Sequence, residues 1–181
     1  VGACHSMPSL LIDIPRWVKE APKGEAYFRM AVHTILHAIA SDDRLRHILC
    51  MKGGILMALH YGSPRHTTDI DFSTSATFDE SSEKEVVERL VSSLASAPAA
   101  LGYEIDCRLQ SHRVQPKRPD RTFVNINMSV GYAEIGTKAH GRLVNGEAVN
   151  TAVSIDYSFK ESIPEMEAVD IGEDETLCVY G

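Results

Sequence analysis

Three stretches in the second half of the chain alternate apolar and polar residues with a period of two: Tyr103, Ile105, Cys107 and Leu109; Val124, Ile126, Met128 and Val130; and Val153, Ile155, Tyr157 and Phe159. Successive side chains of a strand point to opposite faces, so this alternation predicts strands that are buried on one face and wetted on the other. Upstream the period changes. Phe28, Val32, Ile35, Leu36 and Ile39 recur at helical spacing and predict an amphipathic helix over residues 25–47, and a second long helix is expected over 79–101. Between them a short apolar stretch, Ile48 to Met51, runs into Gly53-Gly54, which opens a brief helix carrying Ile55, Leu56 and Leu59 and ended by Gly62 and Pro64. Residues 115–120 and 137–150 read as loops. The order of helix, turn, helix, strand, helix and several strands argues for an α+β fold, a mixed β-sheet flanked by helices.

Chemistry concentrates between these elements. Asp69-Ile70-Asp71-Phe72 reads as a short strand with its acids on one face and its apolar residues on the other. Two residues apart on an extended segment, the carboxylates point the same way, about 6 to 7 Å from one another along the strand, and can converge on shared cations. Magnesium suits such a pair, because it prefers hard oxygen ligands and fills its remaining positions with water and substrate phosphates. The adjacent glycines at a helix N-terminus supply the complementary half, since backbone N–H groups there approach a phosphate closely. A site that clamps both the attacking and the leaving oxygen with two ions calls for a third carboxylate. Asp156 is the best candidate, standing between Ser154 and Ser158 on the polar face of the last alternating strand. Lys52 either meets phosphate or solvates the strand end.

With a formal charge of -7, no overall positive field draws this surface onto nucleic acid or an anionic membrane, so a nucleic-acid partner needs a local patch. Arg108, Arg113, Lys117, Arg118 and Arg121 form one basic stretch; a solvated hairpin is the default reading of it, and contact with an RNA backbone is the alternative. Cys4, Cys50, Cys107 and Cys178 are scattered without zinc-like pairing and are expected as reduced thiols. No apolar run has the length of a membrane span, and no signal peptide is visible, so no membrane partner and a cytoplasmic location are expected. His33 and His37, four apart on a helix, lack an evident third ligand for zinc and read as ordinary helix residues. Residues 1–6 read as a cloning remnant ahead of Met7, and residues 7–181 as one domain.

Lys52-Gly53-Gly54 followed by Arg65-x-Thr67-x-Asp69-Ile70-Asp71-Phe72 resembles the AbiEii-type nucleotidyltransferases of abortive-infection and toxin–antitoxin systems. The likeness covers residues 48–72 well and residues 152–160 more weakly. It implies a polymerase-β-like nucleotidyltransferase fold that moves NMP from an NTP to a hydroxyl acceptor, RNA such as tRNA or a protein, with pyrophosphate leaving. By that likeness Gly53 and Gly54 bind the triphosphate, Arg65 and Thr67 lie beside the phosphates, Asp69 and Asp71 hold two magnesium ions, and Asp156 holds the catalytic one. A cognate antitoxin is the implied partner. Such proteins usually continue past the third acidic strand into a helical region with a lysine-containing motif, whereas this sequence stops at Gly181, so either a minimal domain or a truncated C-terminal helical region is expected. Two other functions fit the same residues: a non-catalytic nucleotide- or partner-binding module, and a small-molecule nucleotidyltransferase.

Overall fold

A computed structural model describes residues 10–61, 67–117, 123–163, 165–172 and 175–180. The elements in chain order are β1 (Leu10–Leu11), α1 (Ile14–Lys19), α2 (Ala26–Ser41), α3 (Asp43–Ile48), β2 (Cys50–Lys52), α4 (Gly53–Tyr61), β3 (Asp69–Ser73), α5 (Glu80–Leu94), α6 (Ala97–Leu101), β4 (Ile105–Gln115), β5 (Asn125–Glu134), α7 (Lys138–Val144), β6 (Ala152–Ser158), β7 (Met166–Gly172) and β8 (Glu175–Tyr180). Among the described residues, all eight strands join one sheet in the order β1-β7-β8-β2-β3-β6-β5-β4. Pairing is mixed, with β3 parallel to β6, β2 parallel to β8 and β1 parallel to β7, and the other neighbours antiparallel. The expected α+β class, a mixed sheet flanked by helices, is what this chain adopts.

The three alternating segments supply β4, β5 and β6, and their apolar residues bury as the period requires: Ile126, Met128, Val130, Val153, Ile155 and Tyr157 are at most 2% exposed. Against that face lies α2, whose Val32, Ile35, Leu36 and Ile39 are wholly buried. The opposite face of β5 and β6 presents Asn125, Asn127, Ser129, Ser154, Asp156 and Ser158, each only partly buried. Around β5 and β6 one side of the sheet is therefore core, and the other is a polar floor.

Two expected long helices are each broken. Asp42 leaves helical geometry (φ -104°, ψ 118°) and its carboxylate accepts the Leu45 N–H at 2.8 Å, so it ends α2 and caps α3. The second break falls at Ala95 and Ser96, before Pro98 in the first turn of α6, because proline cannot donate the N–H that a continuous helix needs. Residues 137–150, expected as a loop, contain α7, whose N-terminus is capped by Thr137. The hairpin of β7 and β8 has no counterpart in the period reading. Residues 1–6 lie outside the described residues. Among the described residues no helix is long and apolar enough to cross a membrane.

Cys50, Cys107 and Cys178 are buried, and burial, with Asp106 nearby, pushes the Cys107 thiol up to about 12. In α2, His33 Nδ1 lies 2.7 Å from the Tyr103 hydroxyl, and His37 Nδ1 contacts Glu175 Oε1 at 2.6 Å. Burial first, then His37, lowers His33 from 6.5 to about 4. The unfolded chain thus takes up this proton before the folded one does. The contribution of neutral His33 is complete above pH 6.5 and is lost as pH falls toward 4. In His33→Gln the fall in stability between those values should shrink, as read by urea unfolding at a series of pH values; an unchanged slope would show that another group sets the acid sensitivity.

Candidate active site

The sheet assembles the site by register. Lys52 on β2 pairs with Asp71 on β3, Asp71 pairs with Asp156 on β6, and Asp156 pairs with Asn127 on β5. Residues paired directly across strands share a face, with neighbouring strands about 4.8 Å apart, so Lys52, Asp71, Asp156 and Asn127 form one row across the middle of the polar floor. Asp69, two residues before Asp71, stands on the same face and pairs with Ser154. Ile70 and Phe72, pointing the other way, are wholly buried. That anchorage keeps the short strand from slipping, because a shift of one residue would expose both of them and bury the acids.

Gly53 follows Lys52 directly at φ +79°, and a Cβ there would come within 3.0 Å of Asp71 Oδ2. Glycine is therefore required twice over, for the left-handed backbone and for the space. A Cβ at Gly54 would meet Thr67 Cβ and Oγ1 at 3.1 Å. The start of α4 thus rests against both Asp71 and Thr67, the latter also lying 3.4 Å from the Asp69 backbone. Of the residues singled out in the sequence, Lys52, Gly53, Gly54, Thr67, Asp69, Asp71 and Asp156 come together here; Arg65 lies outside the described residues.

Burial foremost, then the charges of Asp156 and Asp69, hold the Asp71 carboxyl above the ordinary carboxylate range, against the opposing pull of Lys52. Asn127 Nδ2 donates to Asp156 Oδ1 at 2.9 Å and to Ser154 Oγ at 3.1 Å, which fixes the direction of the Asp156 carboxylate. Among the described residues no hydrogen bond reaches the Asp71 carboxylate, and no three His, Cys, Asp or Glu side chains close a metal cage by themselves. That donor set fits a hexacoordinate hard cation, which takes one or two carboxylates and completes its shell with water and phosphate oxygen. A crowded, undersolvated carboxylate is what such a cation relieves.

Two residues escaped the motif reading. Asn127 was within reach of it, because the alternation of β5 already places residue 127 on the polar side. Glu161 was not: it binds Lys52 from 109 positions away. On the basic stretch, Arg108 donates to Asp106 at 3.0 Å, and Arg118 and Arg121 lie outside the described residues.

Over residues 34–177 the chain matches the family described as nucleotidyl transferase AbiEii toxin of the type IV toxin–antitoxin system. Among solved structures it is similar to the crystal structure of a candidate nucleotidyltransferase from H. pylori, with a TM-score of 0.48 and 14% identity over 89% of this chain. The chain spans 55% of the length of that protein. No curated protein matches it.

Proposed function

The chain belongs to the AbiEii nucleotidyl transferase family, and from that premise we propose that it transfers NMP from an NTP to a hydroxyl of RNA, such as tRNA, or of a protein, as the toxin partner of a cognate antitoxin. The observation that carries the reading is the row in which Asp71 is registered between Lys52 and Asp156, with Gly53 packed on its carboxylate. One small area of the sheet thereby offers an anion seat and a cluster of hard oxygen ligands.

The residues divide the work by position. Gly53 and Gly54 bring backbone N–H groups of the α4 N-terminus to the triphosphate, with Thr67 packed beside them. Asp69, Asp71 and Asp156 would hold two magnesium ions, which when bound neutralise phosphate charge and lower the barrier to displacement at the α-phosphorus. Asp156, oriented by Asn127, faces the acceptor hydroxyl and favours its deprotonation. Catalysis on this reading is chiefly orientation and charge compensation on a rigid sheet.

The test is transfer from each of the four labelled NTPs, with magnesium, to total RNA and to total protein. Label should enter one of the two pools and vanish on chelation of the metal. NTP bound without label in either pool would favour a binding module, and label entering only small molecules would assign the third class of acceptor.

A further inference from the structure

Beyond β6 the chain doubles back. Lys160 takes a left-handed φ of 57°, a state that residues other than glycine adopt at a cost of about 1 kcal/mol or more. Lys160 N donates to Ala76 O at 2.9 Å and Glu161 N to Thr74 O at 3.0 Å, which pins the bend against the exit of β3. The Glu161 side chain is thereby returned to the polar floor. Its Oε2 receives the Lys52 ammonium, the Ser73 hydroxyl at 2.5 Å and the Tyr180 hydroxyl at 3.3 Å. Three donors, from β2, β3 and β8, meet on a single oxygen.

The place of Lys52 makes this cluster more than a surface ion pair. Lys52 is registered beside Asp71 and immediately precedes the Gly53-Gly54 turn. A lysine is a mobile point charge on a four-carbon stem, and the nearest unpaired carboxylate would ordinarily capture it. Capture by Asp71 would fill the ligand position and withdraw the ammonium from the turn. Glu161 competes for the same ammonium, and in this structure it holds it.

We propose that Glu161 is a positioning residue: it keeps the Lys52 ammonium off Asp71 and at the mouth of the Gly53-Gly54 turn, so that the ammonium meets the triphosphate and the Asp71 carboxylate stays available to a cation. This rests on the nucleotidyl-transfer reading above. A strained bend beside a site, held by backbone hydrogen bonds, is consistent with a side chain whose direction matters.

The experiment is steady-state kinetics with magnesium and the preferred NTP for wild type, Glu161→Gln, Lys52→Met and the double variant. Glutamine keeps the shape and the contacts with Ser73 and Tyr180 while removing the charge. Each single change should raise KM for the NTP about tenfold and alter kcat less than about threefold, and the double variant should be no worse than Lys52→Met, because Glu161 acts through Lys52. Tyr180→Phe, which removes one donor without touching Lys52, should raise KM about twofold. Multiplicative losses in the double variant, or KM unchanged in both Glu161→Gln and Tyr180→Phe, would overturn the assignment. Wild type that turns over no NTP would overturn the transfer reading, and this one with it; active wild type with multiplicative losses overturns only the role of Glu161.

Discussion

Asp71→Asn should all but stop nucleotidyl transfer and at the same time raise the melting temperature of the metal-free protein. The two effects have one cause. Asp71 is half-buried among like charges, and burial, Asp156 and Asp69 all disfavour its ionised form. A carboxyl whose folded pKa lies above 3.8 binds its proton more readily in the folded state, so its contribution to stability is greatest at low pH and declines as pH rises through the folded value. Above that folded value the penalty is fully present. Asparagine keeps the volume and removes the charge. Solvent screening at a half-exposed group keeps the gain small, a rise of about 2–4 °C at most for a chain of this size. Transfer should fall about a thousandfold, equivalent to roughly 4 kcal/mol of transition-state stabilisation, because a neutral amide is a poor ligand for a hard cation. Thermal melts and transfer assays on one preparation read both quantities. Retained activity would remove Asp71 from the site, and a lowered melting temperature would show that the carboxylate is stabilising in the absence of metal.

The second large effect is expected of Gly53→Ala. Alanine at φ +79° costs about 1–2 kcal/mol in backbone strain alone, and its methyl group would collide with Asp71 Oδ2. Either the turn opens or the carboxylate swings away, and a displacement of about 1 Å at a reacting centre is worth about a hundredfold in rate. The variant should melt roughly 4–8 °C lower and lose about two orders of magnitude in activity. Adding Asp71→Ala relieves the collision, so the double variant should recover part of the lost stability and none of the activity. Gly54→Ala should do less harm, because the side chain it meets, Thr67, can give by a few tenths of an ångström and no positive φ is involved. A Gly53→Ala protein with wild-type melting and activity would dismiss the close packing of the turn on Asp71.

Much of this site was legible because its parts are local. Asp69 and Asp71 share a face by the pleat of one strand, Gly53 and Gly54 adjoin on one turn, and Asp156 stands on the polar side of a strand whose other side is apolar. The long helices were found and their breaks missed, and the short helices α1 and α7 were not expected. The break at Asp42 depends on a side chain capping the following turn, a competition that the apolar period does not register. The β7–β8 hairpin was missed for a different reason. Leu177, Cys178 and Val179 are buried in succession, since β8 lies inside the sheet and is covered on both faces, and a strand covered on both faces shows no alternation.

What the sequence by itself determined is therefore the local half of the protein: the class of fold, the polar and apolar faces of the strands, and the faces and turn on which the three candidate aspartates and two glycines stand. Strand order and register were decided by the tertiary structure, because they depend on which faces bury one another across tens of residues. Register is what sets Lys52 and Asp156 on either side of Asp71 and Asn127 beside Asp156. The return of Glu161 to Lys52 belongs there too: no periodicity couples positions 109 residues apart, and only the closed sheet with its bend at Lys160 brings the two charges together.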